Sequence, residues 1–78
     1  MINVNGKDIN VVHLRHDGRS HEIFADNLEV TGAVDKNALL TAVENNLDLS
    51  AGILVGYEMD IVEASNTLIL HPAAKFGR

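Results

Sequence analysis

The chain reads as an α+β domain, a two-layer sandwich of one helix on a mainly antiparallel sheet in the order β-β-β-α-β-β. Three observations predict it. Two turn dipeptides, Asn5-Gly6 and Asp17-Gly18, sit between short apolar segments; apolar residues recur at helical spacing from Leu39 to Leu47; and the period changes to two from Ile53 onward.

Asn5-Gly6 readily takes the two positive φ values of a type I′ turn, and between Ile2-Asn3-Val4 and Lys7-Asp8-Ile9 it sets Ile2 opposite Ile9. Asp17-Gly18 does the same between residues 11–15 and 20–24, pairing Val12 with Ile23 and His13 with Glu22. The first thirty residues therefore read as a meander of short strands. Both faces of the segment 11–15 carry apolar residues, so the pattern does not choose its inward side.

Gly32 breaks the strand pattern, and Asp35 then stands where a helix N-cap belongs, its carboxylate able to accept an N–H bond from the first turn. Leu39, Ala42, Val43 and Leu47 form the apolar stripe, with Leu40 beside them. Lys36, Thr41, Glu44 and Asn45 fall elsewhere around the cylinder, so the expectation is one amphipathic helix of about three turns, leaving at Asn45-Asn46 or at Ser50-Ala51-Gly52. From Ile53 a strand is expected, with Ile53, Val55, Tyr57, Met59 and Ile61 on one face and Leu54, Gly56, Glu58, Asp60 and Val62 on the other. A loop at Glu63-Ala64-Ser65-Asn66 returns the chain. It sets Val62 against Thr67, Ile61 against Leu68, Met59 against Leu70, Asp60 against Ile69 and Glu58 against His71. Pro72 cannot donate to a ladder and ends this strand. The helix stripe Leu39/Val43/Leu47 is expected on Tyr57, Met59, Leu68 and Leu70.

The 78 residues leave room for a single domain, expected over 1–72, with 73–78 as a flexible tail. Cysteine is absent, which excludes disulfides, thiolate metal sites and a Cys nucleophile and points to a cytoplasmic protein. Neither a leader with basic and apolar regions nor an apolar run of about 20 residues is visible, so no membrane association is expected. The net charge of -5 is unevenly placed: residues 1–20 balance at +1 and 64–78 at +2, whereas 21–63 carry -8. Clustered Lys and Arg are missing, which argues against direct nucleic-acid binding.

Catalytic and cofactor chemistry find no footing. His13, His16, His21 and His71 could supply imidazole for a divalent metal, but strand alternation sends His13 and His16 to opposite faces and a turn separates His16 from His21. Ser20, Ser50 and Ser65 lack a nucleophile elbow or triad order, and the scattered glycines form no phosphate-cradling loop. The protein is expected to be no enzyme and to use no cofactor.

The element order, together with Asn66-Thr67-Leu68-Ile69-Leu70-His71-Pro72 and a short tail to Gly77, resembles the β-grasp family of ubiquitin-like proteins, especially its small prokaryotic sulfur-carrier members. The resemblance implies a closing strand placed centrally and parallel to the first, and a tail ending at Gly77 that an activating enzyme adenylates. Two departures stand out. The tail has one glycine rather than a pair and continues to Arg78, which would first have to be removed, and an extra strand's worth of sequence precedes the helix.

The favoured expectation is a small non-catalytic protein–protein interaction module, an adaptor or regulator, that uses an acidic face or a sheet edge to bind a partner with a basic surface or a second copy of itself. Glu22, Asp26, Glu29, Glu58, Asp60 and Glu63 are the candidate contact residues. The alternatives are a ubiquitin-like or sulfur carrier acting through Gly77, and an acidic mimic of nucleic acid.

Overall fold

A computed structural model describes residues 2–73. Among them the order is β1 (Ile2–Val4), β2 (Lys7–Ile9), β3 (Val11–His16), β4 (Arg19–Phe24), a 3₁₀ turn at Ala25–Asn27, β5 (Gly32–Ala33), α1 (Lys36–Asn46), β6 (Glu58–Val62), a 3₁₀ turn at Glu63–Ser65, and β7 (Thr67–His71).

The hairpin registers follow from the turn chemistry. Asn5, Gly6, Asp17 and Gly18 all have positive φ, and the pairs Ile2 with Ile9, Val12 with Ile23 and His13 with Glu22 stand as the dipeptides specify. The β6–β7 hairpin likewise pairs Glu58 with His71, Met59 with Leu70, Asp60 with Ile69, Ile61 with Leu68 and Val62 with Thr67, with Asn66 in the left-handed region at its turn.

The strands divide into two mixed sheets instead of the expected single one: β2-β1-β5 and β4-β3-β7-β6. Two parallel pairings cause this. The two-residue strand β5 runs parallel to β1, and β7 runs parallel to β3, with Val12 beside Leu68 and Leu14 beside Leu70. Asn10 is the hinge between the sheets: its N–H donates to the Asn66 carbonyl at 2.8 Å and its own carbonyl accepts from Ala25 at 2.8 Å. Both backbone groups are spent outside the hairpin ladders, which frees the chain to change direction.

One apolar cluster joins the layers. Ile2, Val4 and Ile9 come from the small sheet, Val12, Leu14, Ile23, Leu68 and Leu70 from the large one, and Leu39, Leu40, Ala42 and Val43 from α1, with Leu28, Val34 and Leu54 from the connections. Tyr57, Met59, Ile61 and Leu47 pack partly buried at its margin. Asp35 caps α1 as expected, its Oδ1 accepting from the Ala38 N–H at 2.8 Å.

Two expectations after the helix are corrected. The run from Ile53 does not become a strand until Glu58; residues 53–57 are a chain of turns closed by Ile53 N–H to Ser50 O, Val55 N–H to Gly52 O and Tyr57 N–H to Leu54 O. Leu54 is fully buried and Val55 is 77% exposed, the reverse of the faces that alternation assigned. Glu44, placed by helical spacing away from the core, is buried at 4% exposure. The two departures have one cause. The Glu44 carboxylate accepts from Gly52 N–H at 3.0 Å and Leu54 N–H at 2.9 Å, and Gly52 and Gly56 take φ of +84° and +89°, a region that glycine enters freely.

Candidate functional site: the open face of the four-stranded sheet

Strand alternation sends Val12, Leu14, Leu68 and Leu70 into the core and leaves their neighbours on the opposite side of the large sheet. No residue on that side is buried. The pairing registers arrange it in rows across β4, β3, β7 and β6. The first row is Phe24, Val11, Thr67 and Val62, and the second is Glu22, His13, Ile69 and Asp60. The third has Ser20 beside Arg15 and His71 beside Glu58.

Apolar side chains concentrate toward one end of this face. Phe24 is 59% and Val62 42% exposed; with Val11 they share the row nearest the 3₁₀ turns, interrupted by Thr67, and Ile69 continues the strip in the second row between His13 and Asp60. Carboxylates stand on the two outer strands, Glu22 on β4 and Glu58 and Asp60 on β6, while the basic groups His13, Arg15 and His71 lie on the inner strands. With strands about 4.8 Å apart, the two acidic flanks are separated by roughly 14 Å. Among the described residues, the outer edges of β4 and β6 have no strand beside them.

His71 is held on both sides. Its Nε2 lies 2.7 Å from Asp60 Oδ2 and its Nδ1 2.9 Å from the Pro72 carbonyl oxygen. The Pro72 carbonyl, and after it the Asp60 carboxylate, raise the His71 pKa above the ordinary histidine value, with burial opposing and the charges of Asp60 and Glu58 adding to the rise.

At the other surface of β3, His16 Nδ1 and the Tyr57 hydroxyl lie 2.5 Å apart, ring centroids 5.8 Å. Burial, and secondarily the negative charge of Asp17, raise the Tyr57 pKa. The pair ties the last turn before β6 to the end of β3.

The six candidate acids are not gathered into one face. Glu22, Glu58 and Asp60 share the open side of the large sheet. Asp26 lies in the 3₁₀ turn after β4 and Glu29 beyond it, beside Val30 and the exposed flank of α1. Glu63 is paired with Lys7 Nζ at 2.7 Å, which links the β1–β2 hairpin to the end of β6. Gly77 lies outside the described residues. Sequence reasoning missed Phe24, Val11, Val62 and Ile69 as a surface, although the hairpin registers already aligned them; the missing information was which side of β3 faces the core. Among the described residues, no three His, Asp or Glu side chains come together as a metal site, and no helix is long and apolar enough to cross a membrane.

Comparison of the chain with models of protein families, with curated proteins and with solved structures gives no match. The class that the structure itself defines is a small α+β domain in which one helix and two mixed sheets share a core and one sheet face is left open.

Proposed function

We propose that this protein is a non-catalytic interaction module, an adaptor or regulator in the cytoplasm, that docks a protein partner on the open face of the four-stranded sheet. The observation that carries the reading is the exposed strip of Phe24, Val11, Ile69 and Val62 flanked by Glu22, Glu58 and Asp60. Apolar side chains held in water on a rigid sheet gain free energy when covered, and carboxylates around them favour a partner whose own apolar residues are framed by Lys or Arg. Two copies stacked face to face about an axis along the strands would set Glu22 over Asp60, a like-charge contact, so a basic partner fits this face better than a second copy. Affinity capture from the native host with the wild type and with the double variant Phe24→Ser/Val62→Ser tests it. A protein retained by the wild type, lost by the variant and released by salt is expected; identical capture by both would overturn the reading.

A carrier role is the second reading, and the strand order favours it. β7 is central in β4-β3-β7-β6 and parallel to a neighbour, which supports the reading, although that neighbour is β3 and not the chain's first strand, β1, which pairs in the small sheet instead. Mass spectrometry of the native protein should then show loss of Arg78 and an adduct at Gly77, and a persistently intact Arg78 would exclude the role.

A further inference from the structure

β7 ends in a side chain whose two ring nitrogens both face acceptors. The Pro72 carbonyl and the Asp60 carboxylate can only accept hydrogen bonds, and a neutral imidazole has a single N–H to give. Only the imidazolium satisfies both. We propose that His71 is a protonation-dependent latch: as a cation it fastens the exit of β7 to the edge strand β6, and on losing its proton it releases Pro72 and Ala73. The latch draws on Asp60 and Glu58, which also flank the proposed docking strip, but its opening and closing are read in the protein alone, with no partner present.

The surroundings favour the cation on balance. From β6, Asp60 touches the ring and Glu58 stands opposite in register, two carboxylates against one imidazole. From β3, Leu14 pairs with Leu70, so Arg15 is the next position alongside and opposes protonation. Arg15, Asp17, Arg19 and Pro72 line a shallow cleft at this end of the sheet. The Pro72 carbonyl and then Asp60 raise the His71 pKa, against burial. Because the folded-state pKa is raised, the latch is fully closed below the unfolded histidine value of about 6.5 and opens as the pH rises through the higher folded value. The Asp60 side chain is 69% exposed, so the contact weakens with salt.

The test is an NMR titration of the full chain, following the His71 ring, the Pro72 carbonyl carbon and the order parameter of the Ala73 amide. In the wild type His71 should titrate above the ordinary histidine value, and Ala73 should lose order at the same midpoint, with a population of the released form that grows about two- to fivefold across it. Asp60→Asn should move the His71 midpoint down, and His71→Gln, a side chain that can donate to only one partner in this geometry, should leave Ala73 loosened at every pH. A His71 midpoint at or below the ordinary value, an unchanged midpoint in Asp60→Asn, or an Ala73 order parameter flat across the titration overturns the proposal.

Discussion

Glu44 is a carboxylate that works inside the protein. At 4% exposure it is tolerable only because both its oxygens accept backbone N–H bonds, and in doing so it fixes the otherwise irregular segment 50–57 against α1. Glu44→Ala removes both acceptors and leaves the Gly52 and Leu54 amides without partners. We expect a loss of roughly 2–4 kcal/mol by chemical denaturation, with hydrogen-exchange protection vanishing first at those two amides. Glu44→Gln keeps one acceptor oxygen and should lose less. This residue was illegible in the sequence. Helical spacing counts angles around a cylinder, and a glutamate that turns inward to serve a later loop looks the same as one in water. The alternation that begins at Ile53 was misleading for the same reason: it registers side chains, whereas the positive φ of Gly52 and Gly56 and the grip of Glu44 decide where the backbone goes.

At the level of elements, legibility followed sequence distance. The three hairpins were readable because each is closed by a few residues whose chemistry dictates the turn, and so was the start of α1, where Asp35 accepts from Ala38. Asp35→Ala should cost about 1 kcal/mol, measured as a shift in the denaturation midpoint with unchanged slope. The parallel contacts of β5 with β1 and of β7 with β3 were hidden from local pattern, since they join segments far apart in the chain and no turn residue announces them. The candidate surface shared that fate. Its rows were implicit in the hairpin registers, but its exposure depends on which side of β3 meets the helix, and only the tertiary arrangement decides that.

At the scale of the molecule, the two sheets and the helix among the described residues depend on one shared apolar cluster. A chain of 78 residues has a total stability of about 4–12 kcal/mol, so the sheets cannot be stabilised separately. Tyr57 fluorescence and far-ultraviolet circular dichroism should therefore trace one coincident transition. Leu68, fully buried between β3 and β6, should cost about 2–5 kcal/mol as Leu68→Ala, read as a lowered midpoint of chemical denaturation. By contrast, Phe24→Ser, on the open face, should shift stability by no more than about 0.5 kcal/mol while abolishing partner capture.

The position of β7 carries a consequence for synthesis. It is the last described strand to leave the ribosome, yet it lies between β3 and β6 and supplies each with a neighbour. Until residues 67–71 emerge, the β3–β4 hairpin and the strand β6 lack the strand that pairs with both, so nascent chains halted before Thr67 should be protease-sensitive and prone to aggregate, and those extended past His71 resistant. Closure spans most of the sequence, so the slow step of refolding should be this insertion, which follows fast hairpin formation.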